Sequence, residues 1–220
     1  MHVPQTFRET DGSRHRALIH QHPLATLITA GSPYPDANHI PMVLAAERTP
    51  AADLSGSRLL AHVPRVSPLV EQAHAGVAAL AVFQGPDAYV TPSWYADKSI
   101  HGKVVPTWNY AVVHLTGTLK SIDDPGWVLD QLNLLTAQQE AARDAPWAVS
   151  DAPAEFTRRM VQGLVGLELV VDTCVGKWKV SQNKDQTDQQ RVAIELGSSS
   201  KPAEQALGAL MRERLQPSSP

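Results

Sequence analysis

Near the middle of the chain stands Val104-Val105-Pro106-Thr107-Trp108-Asn109-Tyr110. It opens a run rich in β-branched and aromatic residues that continues to residue 122, interrupted by Gly117, the expected place of a bend or bulge. Successive side chains of a strand point to opposite faces, so Thr107 and Asn109 share one face and Trp108 and Tyr110 the other. One face therefore carries hydrogen-bonding groups and the other flat rings. Two readings fit the rings: core aromatics with satisfied polar tips, or the wall of a ligand site.

Upstream, a capping residue at position 11, apolar Ala17 and Leu18, and a stop at Pro23 predict a short helix over residues 11–21. Residues 24–30 read as a strand ending in the turn cluster Gly31, Ser32, Pro33, Tyr34 and Pro35, and residues 38–46 as a second strand. Small and polar residues 49–57 make a hairpin-like connection to a strand over 58–63. Ser67 before Pro68 reads as an N-cap with proline in the first turn, opening a helix to about residue 74. Strands over 77–83 and 87–91 follow, joined by the turn pair Gly85 and Pro86.

Downstream, Asp124 and Pro125 start a helix in which Val128, Leu129, Leu132 and Leu135 recur at helical spacing, predicting one packed face. A helix over 153–162 carries Phe156 and Met160 four apart, and strands over 164–172 and 175–180 complete the globular part. Residues 1–183 are expected to form one domain and residues 184–220 a polar tail rich in Gln, Ser and Pro. Leu207, Leu210 and Met211 share a helical face, so that part of the tail either stays disordered or docks as a helix on the body or on a partner subunit. Many short strands with a few helices between them predict a mainly β fold with peripheral helices (α+β), a barrel rather than a doubly wound sheet. No strand is followed by a Rossmann or Walker glycine pattern.

Hydrophobic residues make up 43% of the 220 and charged residues 19%, enough apolar surface to build a core. No apolar stretch reaches the roughly 18 residues a spanning helix needs, and residues 1–11 lack a signal-peptide layout, so the expected location is the cytoplasm. With Cys174 the single cysteine, no intrachain disulfide and no zinc site of cysteine clusters can form, and the residue reads as small and buried. A net charge of −3 lacks the basic excess of a strong non-specific DNA binder.

Six ordered segments carry a resemblance. They are Val3-Pro4 before Phe7-Arg8-Glu9; Asp36-Ala37-Asn38-His39-Ile40-Pro41; residues 61–68; residues 82–95; residues 104–110; and Gly176-Lys177-Trp178-Lys179-Val180-Ser181-Gln182-Asn183. Read together, the chain resembles the FMN-binding negative transcriptional regulators, the PaiB-like family, across nearly residues 1–183. The resemblance implies an FMN-binding split β-barrel of the type used by pyridoxamine phosphate oxidases and flavin reductases, and a homodimer with the flavin near the subunit interface.

Cofactor-binding candidates follow. A strand ends at His62 and runs through Val63 into Arg65, Ser67 and a helix start, which brings a guanidinium, a hydroxyl and backbone donors together as the preferred phosphate site. The alternatives are a solvated charge at Arg65 and a plain helix cap at Ser67. Lys103, Pro106, Thr107, Trp108, Asn109 and Tyr110 supply both apolar walls and hydrogen-bonding groups for a flavin. Asn38 and His39 are placed against the ring by resemblance; each of His39, His62, His101 and His114 is equally readable as a structural or surface histidine. Lys177, Lys179 and Ser181 share one side of the last strand, with Gln182 at its exit: either a contact to cofactor phosphate or partner subunit, or a solvated edge guarded by lysine.

Three functions compete. The resemblance implies negative control of transcription, yet the charge and the lack of a helix-turn-helix pair point to a partner regulator rather than direct DNA contact. A flavin oxidoreductase needs no conspicuous acid or base, because the cofactor carries the chemistry. A heme protein is the third reading, although no histidine spacing marks an axial ligand. No catalytic residue and no metal ligand are assigned.

Overall fold

The computed structural model describes residues 1–31, 33–46, 53–100 and 102–215. Ser32 of the expected turn, residues 49–52 of the expected connection, His101 and residues 216–220 lie outside the described residues. In chain order the elements are β1 (Arg8–Glu9), α1 (Gly12–Gln21), β2 (Leu24–Thr29), β3 (Asp36–Pro41), β4 (Val43–Leu44), β5 (Arg58–Pro64), α2 (Pro68–Gln72), β6 (Val77–Val90), α3 (Asp97–Ile100), β7 (Thr107–Ile122), α4 (Pro125–Glu140), α5 (Ala154–Gln162), β8 (Leu164–Lys179), α6 (Gln186–Gly197) and α7 (Pro202–Leu215). Short 3-10 turns lie at Gln5–Phe7, Pro92–Trp94 and Val149–Asp151.

Helix starts follow the expected capping chemistry. The Asp11 carboxylate accepts the Ser13 N–H at 2.8 Å, the Ser67 hydroxyl accepts the Leu69 N–H at 3.3 Å, and Asp124 accepts from Gly126 and Trp127. On α4 the expected apolar face is only partly realised: Val128 and Gln131 are buried, whereas Leu129, Leu132 and Leu135 stay half-exposed. Gln131 takes a core position because its side-chain oxygen meets His62 Nδ1 at 2.8 Å.

The sheet runs in the hydrogen-bonded order β3-β2-β6-β7-β8-β5-β4, with β1 added against β8, and the β1–β8, β2–β3, β2–β6, β4–β5 and β5–β8 pairings are antiparallel. Among the described residues no hydrogen-bonded pairing closes it into a barrel. The strand expected over 38–46 divides at buried Met42: β3 pairs with β2, and β4 turns to pair with β5, Val43 opposite Leu60. The two ends of the sheet are thus two residues apart along the chain, at most about 7.6 Å between α-carbons.

Two compact units partition the chain: residues 1–10, 84–112 and 175–220 in one, residues 11–83 and 113–174 in the other. The boundaries fall inside β6, β7 and β8, and two of these strands change parity there. In β6 the buried residues are 79, 81, 83 and 85, then 88 and 90; in β8 they are 165, 166, 167, 169 and 171, then 176 and 178. Each shift needs one extra residue, as a bulge supplies. The pairs expected as separate strands, 77–83 with 87–91 and 164–172 with 175–180, are therefore single long strands. Pro86 sits at the parity change, where a bulge leaves a strand N–H unpaired, so its missing N–H is tolerated.

The second unit has a core of aliphatic side chains that includes Leu27, Leu59, Leu115, Leu119, Leu167 and Leu169. β7 continues without interruption through Gly117, where a Cβ would lie 1.9 Å from the Val170 carbonyl oxygen. The first unit is built around Val90, Ala111, Trp178 and Val180 together with Val192, Leu196, Leu207 and Met211 of α6 and α7. These helices touch closely, since a Cβ on Gly208 would stand 2.7 Å from the Gly197 nitrogen. No described helix is long and apolar enough to cross a membrane.

Candidate functional site

The start of β7 and the end of β8 lie together in the first unit. Residues 104–106 precede the strand rather than belonging to it. Alternation holds beyond them: Asn109 is fully buried and Trp108 is 52% exposed, which removes the reading of Trp108 as a core aromatic. The Trp108 indole N–H donates to Asp87 Oδ1 at 2.8 Å, and its ring meets exposed Tyr89 edge-on, centroids 6.2 Å apart. Tyr110 is half-buried, with the Lys177 ammonium 5.3 Å from its ring centroid.

Lys179 is half-buried on the same strand end and donates to Thr107 Oγ1 and to the Trp108 carbonyl. Lys177 donates to the His2 carbonyl at 3.3 Å. Burial, and then the neighbouring Lys177 charge, hold the Lys179 ammonium below the usual lysine range. The hydrogen-bond partners of both lysines among the described residues are neutral oxygens. Two lysines of one strand end thus lie beside the Tyr110 ring and the backbone of Trp108, a cationic ledge next to aromatic residues.

Behind this ledge the polar groups are buried. Asn109 Nδ2 donates to Ser181 Oγ at 2.8 Å and lies 3.9 Å from Met211 Sδ, while Asn109 Oδ1 has no partner among the described residues. Ser181 sits at φ 68°, in the left-handed region, as the chain leaves β8. Gln182 folds back, accepting the Val180 N–H at 2.7 Å and donating to the Trp178 carbonyl. Asp188, fully buried on α6, accepts the Ala96 N–H at 2.7 Å through Oδ1, and its Oδ2 has no partner among the described residues. The Lys184 ammonium lies 4.5 Å from the Tyr95 ring centroid. Burial and the Asp188 charge push the Tyr95 phenol upward.

The remaining candidates belong to the second unit or stand apart. Arg65 is exposed and fully engaged: it forms a bidentate pair with Asp123 at 2.7 Å on both arms and donates to the Gln162 and Leu164 carbonyls at 3.1 and 3.2 Å. Its charge is already neutralised, and the Ser67 hydroxyl acts as a cap on a helix of five residues. His62 holds Gln131, and Val63 is buried in the core. On β3, Asn38 donates to Asp36 at 3.1 Å, and exposed His39 places Nδ1 3.2 Å from Thr26 Oγ1. Lys103 and Pro106 are exposed on the approach to β7.

The structure thus gathers Thr107, Trp108, Asn109, Tyr110, Lys177, Ser181 and Gln182 in one place, with Lys179 among them. Asn38, His39, His62, Val63, Arg65 and Ser67 lie in the other unit. Sequence reading missed Tyr95, Lys184, Asp188 and Met211. Nothing local to Asp188 marks it, because an acidic residue in a helix first turn is explained by capping alone.

The family described as "Putative FMN-binding domain" matches residues 1–173. This chain belongs to that FMN-binding family. The family description brings a flavin as the cofactor class. An Emericella nidulans protein named AN0679 is 32% identical, the match covering 97% of each chain. Protease synthase and sporulation protein PAI 2 of Bacillus subtilis is 25% identical over 98% of this chain and 99% of its own length, which bears out the PaiB-like resemblance. Among solved structures, the FAD and heme binding protein from Mycobacterium smegmatis superposes with a TM-score of 0.60 at 19% identity, covering 87% of this chain and 80% of that one, a likeness of fold. The family's cofactor fits the ledge chemically: FMN joins a planar ring system to a phosphate, and the ledge joins exposed rings to two lysines.

Proposed function

We propose that this chain is a PaiB-like FMN-binding protein whose cofactor lies on the first unit, with the phosphate at Lys177 and Lys179 and the ring against Trp108 and Tyr89. The observation that carries this reading is Lys179: a half-buried cation beside a second cation, hydrogen-bonded among the described residues only to neutral oxygens, in a chain of an FMN-binding family. An anion delivered there would offset the cost of burying that charge. Lys103 and Pro106 border the same ledge in sequence. When bound, FMN supplies hydride and single-electron transfer, while the chain's part is orientation and exclusion of water.

The wider reading is a split barrel, in keeping with the sheet ends that meet around Met42, working as a cytoplasmic homodimer. Phe156 and Met160, exposed one turn apart on α5, are apolar surface that a second copy would cover. A regulatory role takes its support from the similarity to PAI 2, and the net charge of −3 favours action through a partner protein over direct DNA contact. The absorption spectrum of protein purified without added cofactor tests the core of this reading. Bound yellow flavin, or uptake of added FMN with a raised Tm, is expected; a Soret band, or no response to FMN, would overturn it.

A further inference from the structure

We infer that the C-terminal hairpin of α6 and α7 is a working part of the flavin site, and that Asp188 is the positioning residue through which it holds the approach to residues 104–110; the inference rests on the flavin reading above. The family match ends at residue 173, yet the groups that fix the ledge come from beyond it. Lys177 and Lys179 end β8, Ser181 holds the Asn109 amide, and Met211 packs its sulfur against the same amide.

Asp188 acts on the other side of the segment. Its carboxylate takes the N–H of Ala96, the residue between the 3-10 turn at Pro92–Trp94 and α3, and the chain runs from there through Lys103 into Thr107. A fully buried carboxylate with one oxygen unpartnered is costly, so its place in the core calls for a role that apolar packing would not fill. Lys184, four residues earlier, covers the face of Tyr95, the neighbour of Ala96.

The hairpin is itself anchored. Near the end of α7, Arg214 pairs with Glu9 at 2.8 Å, and Glu9 belongs to β1, whose residues Arg8 and Glu9 stand opposite Lys177 and Gly176 of β8. Both borders of the ledge, the 95–110 approach and the lysine strand, are thus tied to one helical pair. Residues 186–215 set the spacing between the rings and the lysines.

The test uses the full chain with Asp188→Ala, Asp188→Asn and Met211→Ala, and Ile194→Ala on the exposed face of α6 as control. Two readouts are taken well below the melting transition: FMN affinity by flavin fluorescence, and hydrogen exchange over residues 95–110 without flavin. Asp188→Ala and Met211→Ala are expected to weaken FMN binding by about tenfold or more and to speed exchange in that segment. Asp188→Asn, which keeps an oxygen acceptor for the Ala96 N–H, should recover most of both; Ile194→Ala should change neither. If Asp188→Ala does not fold, Met211→Ala and Asp188→Asn decide. Unchanged exchange over 95–110 in the folded variants, or faster exchange with unchanged FMN affinity, overturns the inference. If the wild type takes up no FMN, the flavin reading fails, and the exchange comparison still decides whether the hairpin holds the segment.

Discussion

Asn109, at the start of β7, donates its side-chain amide to the Ser181 hydroxyl over 2.8 Å, where the chain leaves β8. Both residues are buried, so this bond ties the two strand ends from the inside while Trp108 and Lys179 face outward. Asn109→Ala leaves the Ser181 hydroxyl without its donor and should cost about 1–3 kcal/mol in urea unfolding. Asn109→Asp should cost more, because it buries a further carboxylate in the unit that already holds Glu9 and Asp188. A loss no larger than that of an exposed substitution would mean the bond is not a tie.

Cys174 lies 3.4 Å from His15 Nδ1 in the second unit, and burial, with a smaller contribution from Asp53, pushes its thiol up to about 11. The thiol is therefore inert near neutrality, and a thiol-reactive dye should label native protein far more slowly than unfolded protein. The sign of the pH effect follows. The unfolded thiol loses its proton near its ordinary value of 9.0, whereas the folded one keeps it, so the contribution to stability is full below 9.0 and declines as pH rises toward about 11. Cys174→Ala should flatten that part of the alkaline profile of Tm.

Arg65 stands in the place where sequence alone locates the phosphate, but Asp123 occupies it. Arg65→Ala should leave FMN affinity unchanged. Its effect belongs to the acid range: the guanidinium holds the Asp123 carboxyl below its ordinary value, so the pair's contribution is present above that value and is lost as pH falls through the lowered one. An NMR titration of Asp123 in Arg65→Ala should return to the ordinary carboxylate range. A weaker FMN complex in this variant would restore Arg65 to the cofactor site.

Much of this was legible in the residues. Capping at Asp11, Ser67 and Asp124 located three helix starts, and alternation through Thr107-Trp108-Asn109-Tyr110 gave the faces of β7. Gly85-Pro86 reads as a turn because those residues usually make one; here a parity change in a long strand accommodates them, and only pairing with neighbouring strands reveals that. The division at Met42 shows only in the pairing, where β3 goes with β2 and β4 with β5. The pairing of Arg65 is hidden for another reason: its neutralising carboxylate is 58 residues away. Asp188 and Met211 were hidden for the same reason: their partners, Ala96 and Asn109, are distant in sequence.

Lys179 is the proposed seat of the cofactor phosphate. The most direct measurement is a fluorescence titration of wild type and Lys179→Gln with FMN and with riboflavin, which lacks the phosphate. Wild type is expected to prefer FMN by about tenfold or more and Lys179→Gln to bind the two alike, with riboflavin affinity little changed. An undiminished preference for FMN in Lys179→Gln would contradict it.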